Sequence, residues 1–240
     1  SSDYATEAGA TTASGVVIPP VVVTDGGGGG GAPPSAQSNV IVSGYAYPKS
    51  MVTILINGVI AKTIQADSRA VFSSEFSADP GFKSFSVYAS DLKGRRSLTY
   101  TFSFTLNSGM TSNISGIFIS PTLDLDKSEV RKGDTLNILG QTAPSSTVVI
   151  SINSDDEIVE SISSGNDGVY LLPFDTNSLA YGDHSVKSRA NLNDIFSVVS
   201  QLVSFKVGTR SIMRNLPGDL NFEGRVNIVD FSILLYQWNG

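Results

Sequence analysis

From about residue 39 onward the chain is written in short runs whose apolar positions recur every second residue. In MVTILIN (51–57), Val52, Ile54 and Ile56 share one face. FKSFSVYAS (82–90) and LTYTFSFTL (98–106) alternate in the same way, with Phe102 and Phe104 on one side of the latter. A period of two places successive side chains on opposite faces of a strand, so each run predicts a strand with one buried face. Turn residues separate the runs about every ten residues, the spacing of an all-β sandwich.

The pattern then repeats. SGYAYPKSMVTILIN (43–57) aligns with LGQTAPSSTVVISIN (139–153) at a constant offset of 96. Gly44 matches Gly140, Pro48 matches Pro144, and Val52, Ile54 and Ile56 match Val148, Ile150 and Ile152. Further along, Phe72 falls opposite Tyr170, Gly81 opposite Gly182 and Phe102 opposite Phe205, at offsets that grow in small steps to 103. Insertions in surface loops produce such drift. Two copies of one sandwich are therefore expected, at 39–107 and 113–208, joined around NSGMTSNISG (107–116). The shared pattern, V-x-G-x-A-x-P-x-S-x-V-x-I-x-I-N with a later G-x-x-S-hydrophobic, resembles bacterial immunoglobulin-like domains of surface proteins. The resemblance covers 39–208 and implies a fold, not an activity.

Residues 1–38 are of different material. SSDYATEAGATTASG is small and polar, GVVIPPVVVT (15–24) is β-branched and interrupted by two prolines, and DGGGGGGAPPS (25–35) is a glycine run with a proline stop. Glycines lose the most backbone entropy on ordering, so this composition reads as a linker. An exposed β-branched segment is a liability in water, and residues 16–31 are expected to self-associate by adding a strand to a sheet edge, in the same chain or in a neighbouring one.

Composition narrows the functions. The chain has 240 residues, 40% hydrophobic and only 16% charged, with a formal charge of -6 and a pI near 4.7. The one basic cluster is KGRR (93–96). Nucleic acid is not an expected partner, because its binding needs a concentrated cationic footprint. With no cysteine there are no disulfides, thiolate metal sites or cysteine nucleophiles. No 18-residue apolar stretch exists to span a membrane. The first residue is Ser1, which fits a processed, secreted chain or a segment of a longer one.

Candidate catalytic groups are sparse, and no enzyme is expected. His184, the single histidine, sits beside a turn glycine and reads as a solvent-facing strand residue rather than a base. Asp155, Asp156 and Glu157 are consecutive in a hairpin tip, and Asp124 and Asp126 lie in LDLDKSE; both groups read as solvated turns rather than an acid–base pair. The glycine run has no following Lys-Ser/Thr and is no phosphate loop. Tyr45, Tyr47, Tyr88 and Tyr100 could line a sugar-binding face, but tyrosine is also an ordinary strand residue.

The C-terminus carries the one chemical motif. In GDLNFEGRVNIVD (218–230), oxygen-bearing side chains occupy loop positions 1 (Asp219), 3 (Asn221), 5 (Glu223), 9 (Asn227) and 12 (Asp230), with Gly224 at 6 and the Arg225 carbonyl at 7. That is the ligand spacing of a twelve-residue Ca2+ loop. In FSILLYQWNG, which follows, and just before it, Ile228, Phe231, Leu234, Leu235 and Trp238 fall at helical spacing. Loop and helix (215–240) look like one half of a dockerin, the module that docks to cohesin. The resemblance implies side-chain ligation by Asp219, Asn221, Glu223, Asn227 and Asp230, and a cohesin-like partner. Position 5 carries Glu where that family has Asp, and a second such segment does not follow.

The fold expected is all-β: two tandem immunoglobulin-like β-sandwiches, an N-terminal low-complexity tail (1–38) and a short EF-hand-like loop and helix. The function expected is that of an extracellular structural protein at the bacterial cell surface, a fibre or stalk subunit stabilised by Ca2+. The alternative is a dockerin-type or carbohydrate-binding adhesion module.

Overall fold

The computed structural model describes residues 22–26 (backbone), 36–154, 157–214, and 228, 231 and 232. The described strands assemble into two β-sandwiches in tandem. The first uses β1 (Val22–Gly26), β2 (Ser38–Tyr45), β3 (Met51–Ile56), β4 (Val59–Gln65), β5 (Val71–Ala78), β6 (Gly81–Ser90), β7 (Tyr100–Leu106) and β8 (Thr111–Phe118). One of its sheets runs β1-β8-β2-β5 and the other β4-β3-β6-β7. The second sandwich begins with β9 (Asp124–Leu125), β10 (Lys127–Arg131), β11 (Thr135–Gln141), β12 (Thr147–Asn153) and β13 (Ile158–Ser163). It continues with β14 (Val169–Asp175), β15 (Gly182–Leu192), β16 (Ile195–Phe196), β17 (Val203–Gly208) and β18 (Ile212–Met213). Its sheets run β14-β11-β9 and β13-β12-β15-β17-β10-β18, with β16 added to β15.

The alternating runs form the cores. Val52, Ile54, Phe85 and Val87 are fully buried in the first, and Val148, Ile150, Ile152, Leu136 and Ile138 in the second. Phe205 and Val207 are also buried, whereas Phe102 and Phe104 are only partly so, stacking on Phe85 at 5.7 and 4.8 Å. The difference follows from position: β17 lies inside its sheet between β15 and β10, while β7 is the last described strand of its own.

Apart from the short β16, the two copies match strand for strand from β2 to β7 and from β11 to β17, but they differ beside the first matched strand. β11 pairs with β9, which precedes it and runs antiparallel. β2 pairs with β8, which follows the whole first sandwich and runs parallel to it. The stretch 107–116, read from the sequence as the join, therefore holds a turn and most of β8, and the passage between sandwiches lies at 119–123. SNISGIF does not keep a period of two: its apolar residues are Ile114, Ile117 and Phe118, with a register shift against β2 between the first two, so alternation does not mark it as a strand.

The tail contributes one described strand. β1 pairs antiparallel with β8, from Val22↔Ser115 to Gly26↔Thr111, in the same chain. Residues 16–21 and 27–31, the rest of the expected self-association segment, lie outside the described residues. No helix among the described residues is long and apolar enough to cross a membrane.

Candidate functional site

All six residues of the Ca2+ loop, Asp219, Asn221, Glu223, Arg225, Asn227 and Asp230, lie outside the described residues. What flanks them is described. Upstream, β18 pairs with β10, and Arg214 is tied to the second sandwich: its amide donates to the Asp126 carbonyl (2.7 Å), its Nε to the Lys127 carbonyl (3.2 Å), and its guanidinium also reaches the Ser204 carbonyl. Ile228, within the loop, and Phe231 and Ser232, just after it, are helical, with the Ser232 hydroxyl donating to the Ile228 carbonyl one turn back (2.8 Å). Ile228 and Phe231 are 73% and 53% exposed. A donor set of carboxylates, amide oxygens and a backbone carbonyl suits a hard cation. Among the described residues, no group of three or more His, Cys, Asp or Glu side chains is placed to hold a metal.

The other chemically capable residues are committed to the fold. His184 is 7% exposed and points inward, a correction to the solvent-facing reading. Its Nε2 lies 2.9 Å from the Ala180 carbonyl and its ring 5.4 Å from Phe205. Position explains it: in β15 the alternation that buries Val186 also buries residue 184, and a turn glycine next door does not change the period. Asp126 is likewise no solvated turn residue. Its carboxylate accepts from the Asn137 amide (2.9 Å), the Asn137 side chain (2.8 Å) and the Lys127 ammonium (2.6 Å). Asp124 accepts from the Leu125 amide at 2.9 Å. Glu157 forms an exposed ion pair with Lys187 (3.4 Å), and Asp155 and Asp156 lie outside the described residues.

The four tyrosines considered for a sugar-binding face, Tyr45, Tyr47, Tyr88 and Tyr100, form no open aromatic face; the exposed tyrosine among the described residues is Tyr181, at 65%. Tyr45 packs on Phe118, Tyr88 is covered by the Arg96 guanidinium 3.5 Å above its ring, Tyr100 is buried, and Tyr47 is fully buried. Burial holds the hydroxyls of Tyr47 and Tyr170 well above the ordinary tyrosine range. Each donates to a carbonyl of the connecting segment: Tyr47 to Ser120 (2.5 Å) and Tyr170 to Thr122 (2.7 Å).

That connecting segment is buried and closely hydrogen-bonded, and no sequence motif marks it. Phe118, Ile119, Ser120, Pro121, Thr122 and Leu123 are all buried. Asp91, whose side chain is fully enclosed, accepts from the amides of Lys93 (2.9 Å) and Arg95 (2.8 Å) and from Arg95 Nε (2.7 Å). The Thr122 hydroxyl donates to Asp91 (3.2 Å) and accepts from the Gln141 amide (2.9 Å), touching both sandwiches through one atom. The only sequence signal for it was KGRR, which read as a basic patch; two of its residues are spent on Asp91 and Tyr88.

No protein-family model matches the chain, and no curated protein matches it. Solved structures do. A tetra-tandem repeat in the extending region of a large adhesion protein is 18% identical, over 73% of this chain and 50% of that one, with a TM-score of 0.28. The fibronectin(III)-like modules of Clostridium thermocellum CbhA are 16% identical over 79% of this chain and 94% of theirs, at 0.26. A Ca2+-stabilized adhesin that helps an Antarctic bacterium reach out and bind ice is 16% identical over 82% of this chain and 49% of its own, at 0.26. The chain spans about half the length of the first and third. At these TM-scores the immunoglobulin-like and fibronectin-like sandwich assignment rests on the strands and sheets themselves.

Proposed function

We propose that this chain is a non-catalytic structural subunit of an extracellular bacterial fibre or stalk, linked to its neighbours by exchange of the N-terminal strand. The observation that carries this reading is the pairing of β1 with β8 together with the length of chain that follows it. At that end of the sheet Gly26 pairs with Thr111, and Thr111 pairs with Asn39 of β2. Two strand spacings, about 10 Å, separate β1 from β2. The eleven residues between them (27–37) can extend to roughly 35 Å. A connection with that much slack does not force the strand onto its own sandwich. The same five-residue ladder formed on a neighbour conserves every hydrogen bond; passed on head-to-tail it builds an open fibre, whereas a reciprocal exchange would close a dimer. Deleting residues 1–31 tests it. Negative-stain microscopy of the full chain should show filaments that the truncated chain does not form, with the truncated chain still folded. Filaments from the truncated chain would overturn the reading.

A second reading rests on Ile228 and Phe231, three residues apart on helix and both exposed. An apolar helical face of this kind favours docking to a protein partner, as the half-dockerin resemblance implies, with Ca2+ held by Asp219, Asn221, Glu223, Asn227, Asp230 and the Arg225 carbonyl.

A further inference from the structure

The two copies grip the connecting segment with the same positions. The Ile119 amide donates to the Tyr45 carbonyl (2.9 Å), and the Thr122 amide donates to the Gln141 carbonyl (3.0 Å). Tyr45 and Gln141 are equivalent in the repeat, 96 residues apart. The residue before each is glycine, and for one reason. A Cβ at Gly44 would overlap the Ile117 carbonyl, and a Cβ at Gly140 would overlap the Thr122 carbonyl and the Tyr170 ring. Gly140 lets the connector lie flat against the second sandwich, and Gly44 does the same for the end of β8 that leads into the connector. A buried tyrosine hydroxyl then closes over the connector from each side, Tyr47 onto Ser120 and Tyr170 onto Thr122.

Further contacts cross directly. Ser120 Oγ accepts from the Leu98 amide (3.2 Å), and the Val198 amide donates to the Phe118 carbonyl (3.3 Å). Phe118 sits in a small buried cluster with Ala70 of the first sandwich and Ala143 and Ala190 of the second. Val198, from the second sandwich, packs in the core cluster of the first. Interfaces between domains ordinarily permit relative motion unless large and apolar; here the covalent connection itself is buried and its polar groups are satisfied from both sides.

We propose that residues 118–123 are a fixed joint, a strap held in a socket that each sandwich builds with the same glycine-plus-carbonyl device, so that the pair moves and unfolds as one rigid body without any metal at the junction. Letting the joint flex would strand the buried carbonyls of Ser120 and Thr122 and expose Asp91, which is why intermediate angles are disfavoured. The joint is independent of whether the tail exchanges between chains.

The absence of cysteine makes the test clean. Two labels are introduced in the full chain at exposed positions on outer strands, Thr63→Cys in β4 and Ser161→Cys in β13. Their distance distribution is measured by pulsed electron–electron resonance, with labelled chains diluted in unlabelled ones so that assembly does not contribute. A single narrow distribution is expected, unchanged by a calcium chelator. Inserting Gly-Gly-Ser between Ser120 and Pro121, or combining Asp91→Ala with Thr122→Val, should broaden it while amide spectra report both sandwiches folded. A broad distribution in the intact chain overturns the proposal. So does a distribution that stays narrow in the insertion variant.

Discussion

Tyr47 and Tyr170 occupy the same functional place although they stand at different positions in the repeat. Tyr47 lies in the loop after β2, whereas Tyr170 is in β14 and is the counterpart of Phe72, so the two copies reach the connector with hydroxyls from different elements. Burial favours the neutral phenol in both and raises its pKa in the folded protein. The unfolded chain titrates near the ordinary value of about 10. Below that value the folded and unfolded states bind the same protons and the contribution is fully present. Above it the unfolded state loses protons that the folded state keeps, so stability falls as pH rises. Urea midpoints should therefore decline between pH 9 and pH 11. Tyr170→Phe should flatten the decline while lowering stability at neutral pH by about 1–3 kcal/mol, because the Thr122 carbonyl is left unsatisfied. An unchanged slope in Tyr47→Phe and Tyr170→Phe alike would show that these hydroxyls do not report on folding.

At the scale of elements, the strands legible in the sequence are those with one buried face and local partners. MVTILI and TVVISI read as strands because alternation is a property of the strand alone, and both became inner strands of their sheets. β8 was not legible: most of it read as the join between sandwiches, and it pairs in parallel with β2 across some seventy residues of chain, a partnership that leaves no mark in the sequence. Asp91 was illegible for the same reason, since its significance comes from Thr122, 31 residues away. His184 was misread because a neighbouring glycine outweighed the strand period in the reading. The C-terminal loop and helix is the reverse case, legible in sequence through ligand spacing and lying outside the described residues. Titration calorimetry should show Ca2+ binding at millimolar concentration or tighter, lost in Asp230→Ala. Chelation should reduce the helical circular-dichroism signal and leave the β signal intact. No binding heat, with Asp230→Ala indistinguishable from the parent chain, would reduce the loop to a turn.

At the scale of the molecule, a stalk subunit must resist bending internally and join its neighbours end to end. In the proposed account the buried connector supplies stiffness within the chain, and the slack between β1 and β2 supplies a strand that can leave home. The low charged fraction and modest negative charge leave few like charges to oppose close packing of copies. If exchange runs head-to-tail as proposed, a subunit without its tail keeps the acceptor edge of β8 but has no strand to donate. It can accept the free strand at one end of a growing fibre but has none to pass to the next subunit. The most direct measurement is therefore the length distribution of fibres assembled from intact chain with increasing amounts of chain lacking residues 1–31. Strand exchange predicts that average length falls steadily with the truncated fraction, as each truncated subunit occupies a donor and stops one end. Lengths that ignore the truncated chain, or an intact chain that stays monomeric at every concentration, would contradict it.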